Sequence, residues 1–147
     1  MSVFLINLAS TWFMVGLIWI IQIVHYPLFR DVGLEEFKTF HGSHKILISP
    51  LVGSVMLFEL ITSLILFFQT PKGVPNWTVV ISIILLIGIW SSTLILQVPY
   101  HEKLGSGFDN EIHNLLVKTN WIRTVCWSIR GFLVLIMLNY YIKYNIS

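Results

Sequence analysis

The chain has 147 residues, of which 56% are hydrophobic and only 11% are charged, and its mean hydropathy is +0.80. A soluble domain usually carries about 25% charged residues, so this chain has too few to cover a water-exposed surface. The net charge of +2 is too small to indicate nucleic-acid binding. The single cysteine excludes an internal disulfide and a cysteine-based zinc or iron–sulfur site. The composition therefore excludes a soluble enzyme and indicates an integral membrane protein.

Four apolar stretches predict four transmembrane helices in one membrane domain covering residues 1–147. The spans are predicted at about residues 3–24, 46–68, 77–98 and 121–144. The first stretch lacks a basic leading segment and a small-residue cleavage site, so we expect a retained helix rather than a signal peptide. Most lysines and arginines lie in or beside the two longer connections. This bias predicts that both connections are cytoplasmic and both termini outside, in a bacterial inner membrane.

The two longer connections are predicted to extend the helices beyond the membrane. Residues 34–45 have apolar side chains at helical spacing. Asp109 is predicted to cap a helix that runs into the fourth span. Helices two and four are then each about 35 residues long, and Pro50 is expected to kink helix two or mark its membrane entry. The predicted fold is all-α, a four-helix transmembrane bundle with cytoplasmic helical extensions.

The ends of spans one and three resemble each other. Span one ends in Gln22-Ile-Val-His25-Tyr26-Pro27, and span three ends in Gln97-Val-Pro99-Tyr100-His101. One interpretation is a pair of parallel repeats, each a span, an amphipathic helix and a second span. The other is chance similarity between short apolar segments.

All five histidines lie in or beside the two connections that are predicted to be cytoplasmic. They are His25, His41, His44, His101 and His113. Imidazole is the commonest protein ligand for transition metals, and helix bundles often hold cofactors between facing helices. The pattern predicts a site for Fe, Cu, Zn or haem with these five residues as ligands. Two alternatives are a hydrogen-bonded cluster that contacts substrate and a set of unrelated surface histidines.

Charged residues inside the predicted spans suggest further candidates. Glu59 and Arg130 are deep enough to form a buried ion pair; alternatively, Glu59 is a catalytic proton carrier. Arg123 is the second catalytic candidate, because it can orient an anionic group. The candidate substrate-binding residues are Gln22, Gln97, Asn120, Trp127 and Arg130.

Three motifs support a resemblance to known membrane proteins. They are Q-x-x-H-Y-P after span one, Q-V-P-x-H-x-x-L after span three, and T-N-W-x-R-T-x-x-W-x-x-R-G at the start of span four. Together they resemble uncharacterised small four-span bacterial membrane proteins. The segment from Gln97 to Trp127 is also similar to the anthrone-oxygenase-like family, which usually has Asn where this chain has His101. That similarity implies oxygenase chemistry on a polycyclic molecule, with Pro99, His101, Asn120, Arg123 and Trp127 as the matching positions.

The sequence therefore supports three functional hypotheses. The first is a small membrane oxidoreductase, or a redox-cofactor protein, that acts on a hydrophobic molecule through the histidines. The second is a small transporter or carrier with a polar path along Glu59 and Arg130. The third is a non-enzymatic membrane assembly subunit. The expected partners are the lipid bilayer and a hydrophobic small molecule, with no nucleic acid. An oligomeric state is compatible with all three functional hypotheses.

Overall fold

A computed structural model describes residues 2–146, and within this range the chain forms helices and no strands. The helices are α1 (Ser2–Ile20), α2 (Phe37–Phe68), α3 (Asn76–Ser92), α4 (Val98–Leu104) and α5 (Asn110–Ile146). A π-helical turn, Ile21–His25, follows α1 and leads to a 3-10 turn, Pro27–Asp31. A second π-helical turn, Thr93–Gln97, joins α3 to α4.

Four continuous helical segments are long and apolar enough to cross a membrane, which confirms the predicted four-helix transmembrane bundle. They cover residues 2–31, 37–68, 76–104 and 110–146. The predicted extensions are present, since α2 has 32 residues and α5 has 37. Asp109 caps α5 as predicted, because its Oδ1 accepts a hydrogen bond from the Ile112 amide at 2.9 Å. Helix α2 begins at Phe37 rather than Leu34 and continues through Pro50.

The four segments form a ring in which each contacts two neighbours. Helix α1 packs against α2 and α5, and α3 packs against the same two helices. Helices α2 and α5 are therefore diagonal partners across the bundle. Side chains that join α2 to α5 must cross the centre of the bundle, so the polar residues on these two helices meet in its interior.

Three buried clusters stack along the bundle. The clusters centre on Phe4 and Val134 at one end, Met14 and Trp127 in the middle, and Phe29 and Phe37 at the other end. The last cluster adjoins the imidazoles, and we call that end the histidine end. Many large apolar side chains remain exposed on the outer surface, as expected for a bundle that faces lipid.

The two π-helical turns occur where the sequence suggested a repeat. Both are followed closely by a proline, Pro27 or Pro99, and each contains a buried glutamine. The Gln22 Oε1 atom accepts a hydrogen bond from Asn120 at 2.8 Å, and Gln97 Nε2 donates one to the Thr119 hydroxyl at 2.9 Å. Both turns are thus fixed to α5 by a glutamine. Such turns are often found at functional sites, because they redirect side chains out of the regular helical register.

Candidate functional site

Four of the five predicted histidines meet at the histidine end. His25 Nε2 lies 2.8 Å from His44 Nδ1, and His41 Nε2 lies 3.0 Å from His101 Nδ1. The centroids of the His44 and His101 rings are 5.8 Å apart, so the two pairs adjoin. Part of the group comes from the segment that follows α1, part from helix α2 and part from helix α4. Four of the five histidines thus lie together at one end of the bundle, as two adjoining pairs.

Tyr26 extends one of these pairs into a chain of three rings. Its hydroxyl lies 2.9 Å from His101 Nε2, and His101 Nδ1 is the atom that contacts His41. His41 Nδ1, at the far end, is buried and has no hydrogen-bond partner among the described residues. Two sets of neutral tautomers satisfy this chain, one with every proton pointing toward His41 and one with every proton pointing toward Tyr26. A chain of this kind can pass a proton in either direction.

His113 lies apart from this chain and has a structural partner at each ring nitrogen. Its Nδ1 accepts a hydrogen bond from Arg30 Nε at 3.2 Å, and its Nε2 donates to the Tyr26 carbonyl at 2.7 Å. Arg30 also donates to the Asn114 side chain. These contacts hold the backbone at Tyr26 in place. His113 therefore positions Tyr26 without joining the four clustered imidazoles.

The four clustered histidines contact each other in pairs. Their close nitrogen atoms point at one another, at 2.8 and 3.0 Å, rather than toward a shared central point. Across residues 2–146, no three His, Cys, Asp or Glu side chains are arranged to hold a metal ion. The geometry matches the alternative of a hydrogen-bonded cluster.

A cavity of about 230 Å³ lies beside the histidines, between α2 and α3. Its walls are mainly apolar, with Val52 and Met56 on one side and Trp90 on the other. Polar groups are concentrated at the histidine end, where Tyr26, His44, Gln97, His101 and Arg123 line the cavity. An apolar chamber with a few converging polar groups is the usual form of a small-molecule site.

Arg123 is the unusual member of this lining. Its side chain is buried, its Nη1 donates to Asn120 Oδ1 at a long 3.3 Å, and the guanidinium also interacts with the Tyr26 hydroxyl, but its Nε has no hydrogen-bond partner among residues 2–146. The guanidinium lies over the Trp127 ring, 5.1 Å from the centroid. The described residues place no carboxylate against it, and their one acid–base ion pair is Glu59–Arg130. A buried cation without a counter-ion is costly, so this position favours an anionic ligand.

Trp90 supplies a second unsatisfied donor in the same wall. Its Nε1 atom is buried and has no partner among the described residues. Unpaired buried donors are rare in folded proteins and cost about 1–3 kcal/mol each. The lining of the cavity thus includes two residues that each have a buried, unpaired N–H group, Trp90 and Arg123, and it includes no acidic side chain. This combination is suited to a ligand that carries hydrogen-bond acceptors and negative charge.

Glu59 and Arg130 form the predicted ion pair, and it is completely buried. Arg130 Nη2 lies 3.0 Å from Glu59 Oε1, and both side chains have 0% exposure. The carboxylate also accepts hydrogen bonds from Thr11 at 2.8 Å and from Trp127 Nε1 at 2.9 Å. Arg130 directs its other N–H groups at the serine hydroxyls of α2 and α3 and at a backbone carbonyl. Every polar atom of the pair has a protein partner, as expected for a structural network.

The remaining predicted site residues fall into two groups. Gln97 lines the cavity, while Gln22 and Asn120 connect the first π-helical turn to α5. Trp127 is fully buried and holds Glu59, and Arg130 is confined to the ion-pair network. Of the two predicted catalytic residues, Arg123 therefore lies at the cavity and Glu59 lies in the structural network.

Sequence reasoning missed Tyr26 and Trp90 as site residues. Tyr26 sits inside the quoted motif of span one, next to His25, so its position in a polar segment was an available signal. Trp90 is one of the six tryptophans of the chain. It lies in an apolar span and has no distinguishing neighbour in the sequence. The unpaired N–H of Trp90 depends on which groups surround the indole in the tertiary structure, so no local pattern in the sequence predicts it.

Comparisons with known proteins add no family or functional assignment to this geometry. The chain matches no protein-family model, no curated protein and no solved structure.

Proposed function

We propose that this protein is a membrane enzyme that binds a hydrophobic molecule with an acidic or enolisable head group and exchanges a proton with it. Arg123 holds the head group, and the chain Tyr26–His101–His41 carries the proton. The observation that supports this most strongly is the buried guanidinium of Arg123, which faces an apolar cavity without a carboxylate partner.

The proposed chemistry follows from the neighbouring groups. A head group that gives up a proton becomes an anion, and the Arg123 guanidinium stabilises that anion by charge and hydrogen bonding. Tyr26, at the cavity, is the first acceptor or donor, and His101 and His41 follow at hydrogen-bond distance. In an oxidoreductase, proton removal of this kind precedes oxidation of the electron-rich anion. The predicted oxidoreductase class, and the resemblance to anthrone-oxygenase-like proteins, are consistent with this first step.

The proposal uses the histidines as proton carriers rather than as metal ligands. The paired geometry leaves each imidazole with another protein group as its partner. The predicted orientation, with the histidine end in the cytoplasm of a bacterial inner membrane, would place the far end of this proton chain, the buried Nδ1 of His41, on the cytoplasmic side. Metal analysis and an absorption spectrum of the purified protein would test the metal and haem hypothesis directly.

Filling the cavity should block binding. Gly53 lines the cavity, and a Cβ atom built on it meets no other atom within 4 Å. Gly53→Leu should therefore place its side chain in the cavity without disturbing the helices. We expect the affinity for dodecanoate, used as an anionic amphiphilic probe in phosphatidylcholine nanodiscs, to fall at least about tenfold, which corresponds to about 1.4 kcal/mol. Binding is measured by equilibrium dialysis after subtraction of uptake by empty nanodiscs.

Gly16→Leu is the matched control. Gly16 also has open space at its Cβ position, but it lies on the outer surface of α1, away from the cavity. This variant should bind dodecanoate like the unmodified protein. Equal binding by the Gly53 and Gly16 variants would contradict the proposed site.

A further inference from the structure

A second apolar cavity, of about 350 Å³, adjoins the first along the seam between α2 and α3. Leu60 and Leu64 line it from α2, and Ile83 and Ile87 line it from α3. Trp90 lines both cavities, so its indole ring lies between them. We call this second cavity the seam groove. It has no charged residue in its lining.

The seam groove leads from the head-group site toward the middle of the bundle. Gly53 lines the first cavity and Leu64 lines the groove, and this stretch of α2 spans about 16 Å at the helical rise. That is about half of a hydrocarbon core roughly 30 Å thick. The combined length suits one acyl or isoprenoid chain. The polar and apolar parts of the site are therefore arranged as in an amphiphilic lipid.

The groove is also open to the side. Leu64, Ile87 and Leu94 line it and are 41%, 60% and 59% exposed, so its edge faces the surface that contacts lipid. A hydrocarbon chain gains little by moving from lipid into an apolar groove, because both environments are apolar. Recognition must then come from the head group at Arg123 and Trp90, while the groove selects the shape of the chain.

We infer that the ligand is a single-chain anionic amphiphile that enters sideways from the bilayer, with its head at Arg123 and its hydrocarbon chain in the seam groove. This inference rests on the proposed function, since it assumes that the Arg123 cavity binds the head. Three observations carry it: Trp90 lines both cavities, its N–H is unpaired, and the two cavities together extend along α2 for about the length of one hydrocarbon chain.

The test uses photolabelling in the complete protein. Hexadecanoate with a diazirine at mid-chain is incorporated into phosphatidylcholine nanodiscs that contain the protein, and the labelled residues are mapped by mass spectrometry. We expect adducts to concentrate on the seam-groove residues of α2 and α3 and to be displaced by excess hexadecanoate. Ser91 is exposed and lines the groove, so Ser91→Phe should reduce this labelling by at least about tenfold, the effect of a clash worth roughly 1.4 kcal/mol.

Ser54→Phe provides the control, because Ser54 is an exposed serine on α2 that lines neither cavity. The Ser54→Phe variant should be photolabelled to the same extent as the unmodified protein. Labelling that is unchanged in Ser91→Phe, or that spreads evenly over the outer faces of α1 and α5, would overturn the inference about the chain. If Gly53→Leu nevertheless weakens dodecanoate binding, the head-group site is supported and only the chain site in the seam groove is refuted. If the Gly53→Leu variant also binds normally, the proposed function fails as well.

Discussion

Replacing Glu59 with glutamine should destabilise the protein by about 3–5 kcal/mol, the largest effect that we expect from a single substitution. The change preserves the shape of the side chain but leaves the charge of Arg130 buried without its counter-ion. Arg130 is 0% exposed and cannot reach water from the bundle centre. The measurement is the free energy of unfolding, from denaturant titration of the protein in mixed micelles.

Two controls separate this effect from a general loss of charge. Glu111→Gln removes an exposed carboxylate from the first turn of α5 and should change stability by less than about 0.5 kcal/mol. The double variant Glu59→Gln with Arg130→Met removes both charges and should recover much of the lost stability. Unfolding of Glu59→Gln at the same denaturant concentration as the unmodified protein would refute the structural role. If activity were lost with stability intact, the hypothesis of a Glu59 proton carrier, or of a Glu59–Arg130 transport path, would gain support.

Unlike Glu59→Gln, replacing Arg123 with methionine should not lower the free energy of unfolding. It should, however, strongly weaken the binding of dodecanoate. The substitution removes a buried charge that has no counter-ion, so the free energy of unfolding should stay the same or rise by up to about 2 kcal/mol. Binding of dodecanoate should weaken by about 1.5–3 kcal/mol, the contribution of a charged hydrogen bond. That energy corresponds to a loss of roughly 10- to 150-fold in affinity. Nanodisc dialysis and denaturant titration measure the two quantities on the same preparation.

Lys118→Met is the matched variant for Arg123→Met. It removes one positive charge from an exposed position on the same helix and should leave dodecanoate binding unchanged. If both variants weakened binding equally, the attraction would be a general effect of positive charge. A strong loss of stability in Arg123→Met would mean that Arg123 is compensated inside the fold, and the argument for an anionic ligand would fail.

The contrast between the two arginines explains how one helix serves both structure and function. Arg123 and Arg130 lie two turns apart on α5, and both side chains are buried. Arg130 has a carboxylate and serine hydroxyls around it, so its charge stabilises the centre of the bundle. Arg123 has a long hydrogen bond to Asn120, the Tyr26 hydroxyl and the face of Trp127 around it, but no carboxylate. A buried cation that has no counter-ion beside a cavity lowers stability, which is the cost expected if the proposed binding site is real.

The position of Trp127 between the two arginines links these regions. Its ring lies under the Arg123 guanidinium, and its Nε1 donates to Glu59 at 2.9 Å. The structural network therefore holds the Trp127 ring in place beneath the Arg123 guanidinium. This explains why a residue predicted to contact substrate is fully buried and lies outside the cavity lining.

Much of the architecture could be predicted from the sequence, because bilayer thickness and helix geometry constrain it strongly. Four apolar stretches require four helices, since backbone polar groups must be satisfied internally in lipid. The long helix α5 and its cap at Asp109 follow from local patterns of apolar and capping residues. The Glu59–Arg130 pair was also predictable as a structural contact, because an isolated charge at that depth needs a partner.

The roles of the polar residues were decided only by the tertiary structure. Periodicity placed the histidines at one level of the bundle, but it could not show that their nitrogen atoms would face each other in pairs. It also could not distinguish Arg123 from Arg130, since the presence or absence of a counter-ion depends on which helices face each other. Composition and spacing thus determined a helical membrane bundle with polar residues inside it. The diagonal placement of α2 and α5, and the gap between α2 and α3, decided which of those residues are neutralised and which line a cavity. The reason is physical: helix formation depends on neighbours along the chain, whereas charge compensation depends on neighbours in space.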